Sequence, residues 1–100
     1  MNLFDTMYCI LHTLEQYAQV REYDPRSLTA GVIGVSKEML DSAMYMLSKE
    51  GYIEGVDEIS VLGRTTPALV YKFPRITLAG LDYLENDSNM VKARNRARGV

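Results

Sequence analysis

Cysteine and histidine occur once each in the 100-residue chain, as Cys9 and His12. No disulfide can close within the chain, and no set of Cys/His metal ligands can be assembled. This fits a reducing compartment, and no metal or other cofactor is expected. The stretch MNLFDTMYCILHTLEQYAQV mixes acidic with apolar side chains and has no basic start, so no secretory signal is expected. No apolar run approaches the ~18 residues that a membrane span needs. A soluble cytoplasmic protein without a membrane partner is therefore expected. There is no glycine-rich phosphate loop, since Gly31 and Gly34 lack both the spacing and the lysine of one. Internal repeats and dividing linkers are absent too, so residues 1–100 read as a single domain. With 47% hydrophobic residues there is enough apolar material for one core.

The net charge of −2 conceals an uneven distribution. Residues 1–87 hold 7 basic and 13 acidic side chains, a balance of −6. Residues 88–100 hold Lys92, Arg94, Arg96 and Arg98 with no acid, a balance of +4. A second acid-free stretch, Ser60 to Leu81, carries Arg64, Lys72 and Arg75. An acidic body disfavours phosphate while the two basic segments favour it.

Apolar spacing predicts a helix over 3–20, with Leu3, Met7, Ile10, Leu14 and Tyr17 on one face and Asp5, His12, Gln16 and Gln19 opposite. Asp24-Pro25 restarts the chain as cap and first helical residue of a short helix that Gly31 can end. Ser36 caps a third helix, Lys37–Glu50. There Leu40, Ala43, Met44 and Leu47 share the inner face, and Glu38, Ser42, Tyr45 and Lys49 the outer, with Met46 at its edge. Beyond Gly51 the pattern turns β-branched and aromatic in three runs: Tyr52–Val56, Ile59–Leu62 and Ala68–Phe73. The last two are expected to form a hairpin with an exposed basic tip at Gly63–Pro67, ended by Pro74. Thr77 caps a helix over Leu78–Glu85, in which Gly80 implies a close backbone contact. Asn86-Asp87-Ser88 separates it from a final helix, Asn89–Ala97, packed through Met90, Ala93 and Ala97.

Helix, short helix, helix, hairpin, helix, helix is the order of an α+β winged helix-turn-helix: a three-helix core, a β-hairpin wing and C-terminal helices ending in the basic tail 88–100. The stretch IGVSKEMLDSAMYMLSKEGYIEGV (33–56) looks like the turn, recognition helix and first wing strand of many bacterial winged-helix proteins. ITLAGLDYLENDSNMVKA (76–93) resembles the helix that follows the wing. Together they resemble the YjcQ family, small winged-helix proteins often carried by prophages of Gram-positive bacteria. The resemblance implies the fold and assigns no functional residues.

Catalytic chemistry finds little support. Cys9 and His12 lie three apart on the first helix, but no third group completes a nucleophilic or metal site. Asp57 and Glu58 read as a solvated strand connection. Enzyme activity and a small-molecule ligand are therefore not expected. The outer face of the third helix has no arginine, unlike a strong major-groove reader, yet Ser42 and Tyr45 can hydrogen-bond and Lys49 can meet a phosphate. Arg64, flanked by Thr65 and Thr66, suits a minor groove. Lys72 and the tail residues Lys92, Arg94, Arg96 and Arg98 can lie along phosphates. Duplex DNA is the first expected partner, in a prophage-type transcription regulator. The alternative is a protein-interaction winged helix, a homodimer or phage adaptor, using Met39, Tyr45 and Met46.

Overall fold

The computed structural model describes residues 1–65 and 67–99. Among them are five α-helices and one antiparallel strand pair: α1 (Leu3–Tyr17), α2 (Ala30–Ile33), α3 (Lys37–Lys49), β1 (Ile53–Ile59), β2 (Ala68–Ile76), α4 (Leu78–Asn86) and α5 (Ser88–Ala97). The expected α+β class holds. None of these helices is long and apolar enough to cross a membrane.

The start of α1 is fixed by a reciprocal cap. The Asn2 side chain accepts the Asp5 N–H, and the Asp5 carboxylate accepts the Asn2 N–H. The helix stops at Tyr17 rather than at residue 20. The N–H groups of Gln19 and Val20 turn to carbonyls three residues back, which tightens the chain out of the helix. Its buried stripe is wider than the sequence pattern suggested: Thr6, Met7, Tyr8, Ile10, Leu11 and Leu14 are all buried. The width has a simple cause, since α1 packs against α2, α3, α4, α5 and β2. The buried Thr6 hydroxyl is satisfied by donating to the Asn2 carbonyl at 3.0 Å. Asp5 was expected on the solvent side, but it faces α5, where Arg96 Nη2 lies 2.7 Å from its Oδ1.

The expected short second helix is divided in two. Asp24 caps only a 3-10 turn over Pro25–Ser27, and Thr29 then caps α2 by accepting the Val32 N–H. Gly31 is thus inside α2, and Gly34 at φ +86° is the residue that ends it. Val35 and Ser36 complete the turn into α3, where Ser36 caps as expected. Tyr23, in the connection after α1, is half-buried: it packs between Tyr17 and Phe73 and donates its hydroxyl to the Pro74 carbonyl. This aromatic ladder fastens the α1–α2 connection to the base of β2.

The three apolar runs after Gly51 resolve into two strands. β1 continues through Asp57 and Glu58, so these are strand residues and not a connection. Most of the Ile59–Leu62 run lies in the loop between the strands. The cause is a bulge between Glu54 and Val56, where Gly55 at φ +83° sits against the Phe73 carbonyl. Pairing resumes at Val56 with Tyr71, and Lys72, Phe73 and Pro74 are the opposing extra residues. Pro74 is therefore carried inside β2, where the bulge asks for no ladder N–H from it, and does not end the strand. It is fully buried.

Thr77 caps α4 as expected, accepting the Gly80 N–H and donating to the Gly51 carbonyl at 2.6 Å. Asp87 ends α4 and caps α5, accepting the Asn89 and Met90 N–H groups. Met90 and Ala93 are buried in the core, but Ala97, expected to pack, is exposed at the end of α5. The close contact inferred at Gly80 is present: an added Cβ would overlap the Tyr52 carbonyl oxygen and lie 2.8 Å from Ile76 Cγ1.

Two outcomes follow for stability. Gly80→Ala gains ~1 kcal/mol of helix propensity but must displace a backbone carbonyl. Urea unfolding should show a net loss of about 2 kcal/mol or more, and a gain would mean that the α4–Tyr52 contact is wrong. The Asp5 carboxyl is held below its ordinary 3.8: burial pushes it up, but the Arg96 guanidinium and the Asn2 N–H together outweigh this. Its pairing contributes above 3.8 and is lost as pH falls through the lower folded value. Arg96→Gln should therefore cost about 0.5–1 kcal/mol at neutral pH and low salt. In urea titrations this difference should shrink as pH falls below 3.8; a constant difference would contradict the assignment.

Candidate functional site

Helix α3 places its candidate side chains by simple periodicity. Leu40, Ala43, Met44 and Leu47 are buried. Glu38, Ser42, Met46 and Lys49 on the other side are exposed, and Met39 and Tyr45 are half-buried. The four inner residues match the sequence expectation, as do Glu38, Ser42 and Lys49, whereas Tyr45, expected on the outer face, is half-buried and Met46, expected at its edge, is exposed.

The hairpin lies alongside that outer face. Val56 pairs with Tyr71 and Glu58 with Leu69, so these four side chains share one face of the two-stranded sheet. Two polar links join that face to α3. Lys49 Nζ is 2.8 Å from Glu58 Oε1, and the hydrogen bond to Glu58 raises its ionisation above the usual lysine range. The Tyr71 hydroxyl donates to Asp41, which also takes Lys37 Nζ at 3.2 Å. Burial, with the Asp41 carboxylate next to it, pushes the Tyr71 phenol far up. On the opposite face Lys72 Nζ lies 2.9 Å from Asp57, whose hydrogen bond raises it in turn. The carboxylates read as a solvated connection are thus the counter-ions of two of the proposed phosphate contacts.

Between α3 and the hairpin runs a cleft of about 660 Å³. Lys37, Asp41, Ser42, Tyr45 and Met46 line it from α3, and Arg64, Thr65, Pro67, Ala68 and Leu69 from the hairpin. The sequence-predicted residues Ser42, Tyr45, Arg64 and Thr65 therefore meet around one concavity. Thr66 lies outside the described residues. Arg64 is exposed and has no ion-pair partner among the described residues. Lys37, Asp41, Pro67, Ala68 and Leu69 were not singled out from the sequence. The four-residue spacing of Lys37 and Asp41 was the available signal for that pair. The others depend on where the loop folds back.

The basic tail is elsewhere. Helix α5 packs on α1 and α4, and none of Lys92, Arg94, Arg96 and Arg98 lines the cleft. Arg96 is held by Asp5, and the half-buried Arg94 lies 4.0 Å from Glu85 with its Nε buried and unpartnered among the described residues. Lys92 and Arg98 are exposed without a carboxylate partner among the described residues. Cys9 is half-buried, and burial with the nearby Asp5 charge pushes its thiol up, away from the reactive thiolate. His12 stacks on Tyr8 at 5.5 Å.

No curated protein and no solved structure matches this chain. The family model described as YjcQ protein does match, over residues 8–100, which include every element from within α1 to the end of α5. The resemblance drawn from 33–56 and 76–93 is thereby borne out, and the chain belongs to the YjcQ protein family.

Proposed function

We propose that the chain is a winged helix-turn-helix protein that binds duplex DNA weakly through α3 and the hairpin loop, with α2, the Gly34–Ser36 turn and α3 as the helix-turn-helix. One observation carries this assignment: Ser42 and Tyr45 on the outer face of α3 and Arg64 and Thr65 of the loop surround a single cleft. A helix face and a projecting loop on one side of the molecule can follow a groove and its adjoining backbone together. Arg64 offers a free guanidinium for a narrow minor groove. Lys49 and Lys72 must first leave Glu58 and Asp57, and Glu38 adds a repulsive charge, so affinity belongs in the non-specific range of ~10⁻⁴–10⁻⁶ M. A prophage regulator would act through this surface, with the tail as an auxiliary patch.

A second assignment has its own observation. Ile59 and Val61 are about half exposed and Leu62 is fully exposed in the hairpin strand end and loop, and Met46 is exposed on α3. An apolar loop of this kind suits a protein partner or a second copy. Of the residues proposed for such contacts, Met46 is the accessible one, while Met39 and Tyr45 are half-buried.

Fluorescence anisotropy with a short duplex at low salt tests DNA binding. Binding should appear by tens of micromolar, with log K falling against log salt at a slope of about −1 to −3. Arg64→Ala should reduce that slope by about 1. Glu58→Gln should tighten binding by about two- to fivefold, since it frees Lys49. Lys92→Gln with Arg98→Gln is the control for the tail; truncation is unsuitable because Ala93 is core. No binding at tens of micromolar would refute the assignment for duplex DNA. Light scattering at high concentration checks the homodimer form of the second assignment: a dimer that Leu62→Ser dissociates is expected, and a clean monomer removes it.

A further inference from the structure

We infer that the cleft between α3 and the hairpin is a binding site for a small carboxylate bearing an apolar tail. This goes beyond DNA binding and does not depend on it. No such ligand was expected from the sequence, because the cleft is lined by residues of α3 and of the hairpin that are distant in chain order.

The volume of about 660 Å³ falls within the range of small-ligand sites, about 300–1,000 Å³. The charge of the occupant follows from what the lining has already spent. Asp41 is the carboxylate in the lining, and it is committed twice, to the Tyr71 hydroxyl and to Lys37. Lys37 and Asp41 cancel. Arg64 remains, a cation without a carboxylate partner among the described residues, with the Thr65 hydroxyl next to it in sequence and Ser42 across the cleft. A guanidinium presents paired N–H donors that match the two oxygens of a carboxylate. A cationic ligand would meet Arg64 with no free carboxylate to offset it.

The apolar requirement comes from the rest of the wall. Met46 is exposed, and Pro67, Ala68 and Leu69 are half-exposed facing the same space. Covering them removes apolar surface from water, which a bare anion such as acetate cannot do. Tyr45 combines both characters, an apolar ring with a hydroxyl tip.

The test is an ¹⁵N NMR titration of the full chain with three probes: octanoate, acetate and octylammonium. Octanoate should give saturable shifts at Ser42, Tyr45, Met46, Arg64 and Leu69. Its affinity should exceed that of either other probe by about tenfold or more, and Arg64→Gln should remove most of that margin. Arg64 is exposed, so this variant keeps the fold, and its spectrum shows whether it has. The inference is overturned by an absence of saturable shifts, by an equal response to octylammonium, or by shifts that fall outside the cleft. DNA binding is scored separately: octanoate binding without DNA binding leaves this site standing, and the converse removes it.

Discussion

The fold depends on the broad buried stripe of α1, on which five other elements pack. Ile10 and Leu11 are consecutive, point about 100° apart, and are both fully buried, so the buried stripe of α1 is broad, while His12 and Gln16 keep its far side in water. Its neighbours include the helices before and after the hairpin as well as β2. Elements distant in sequence therefore take their places by packing on a common partner. A two-stranded hairpin is marginal in water by itself. Here it gains support from α1 through β2, from α3 through β1, and from the Tyr17–Tyr23–Phe73 ladder at its base.

Two glycines fit the hairpin to that core. Gly80 lets α4 come against the Tyr52 carbonyl where the chain enters β1, and Gly55 creates the bulge that accommodates Pro74 in β2. Above the bulge, the Val56–Tyr71 and Glu58–Leu69 pairs turn towards α3, where Asp41 and Lys49 meet them. The exposed ion pair contributes little stability. Its role is positional: it helps hold the hairpin beside α3 and leaves the cleft between them.

Local signals in the sequence are legible because their physics is local. The 3.6-residue spacing gave the two sides of α3, Ser36 and Thr77 announced their caps, and a glycine inside a helical pattern marked the contact at Gly80. The hairpin boundaries were less legible, since the Gly55 bulge interrupts the two-residue alternation and makes one strand look like two short ones. Thr29 is hidden as a second helix start because Gly31, just after it, looks like a stop. Least legible were the partners of the charges. Nothing in the chain order connects Lys49 with Glu58, Lys72 with Asp57 or Arg96 with Asp5, yet these pairings decide which cations are free. The basic segments counted from composition therefore hold fewer free cations than their charge suggests.

Both proposals rest on the region where the structure concentrates chemically useful groups, the cleft between α3 and the hairpin loop, rather than on the most basic segment. The proposed DNA contact and the proposed carboxylate site both use Arg64 there, so occupancy of one would exclude the other. Hydrogen–deuterium exchange of the chain with and without a short duplex examines that location directly. New protection is expected in residues 42–46 and 64–69 with α5 unchanged. Protection confined to residues 90–98 would place the contact on the tail and contradict this expectation.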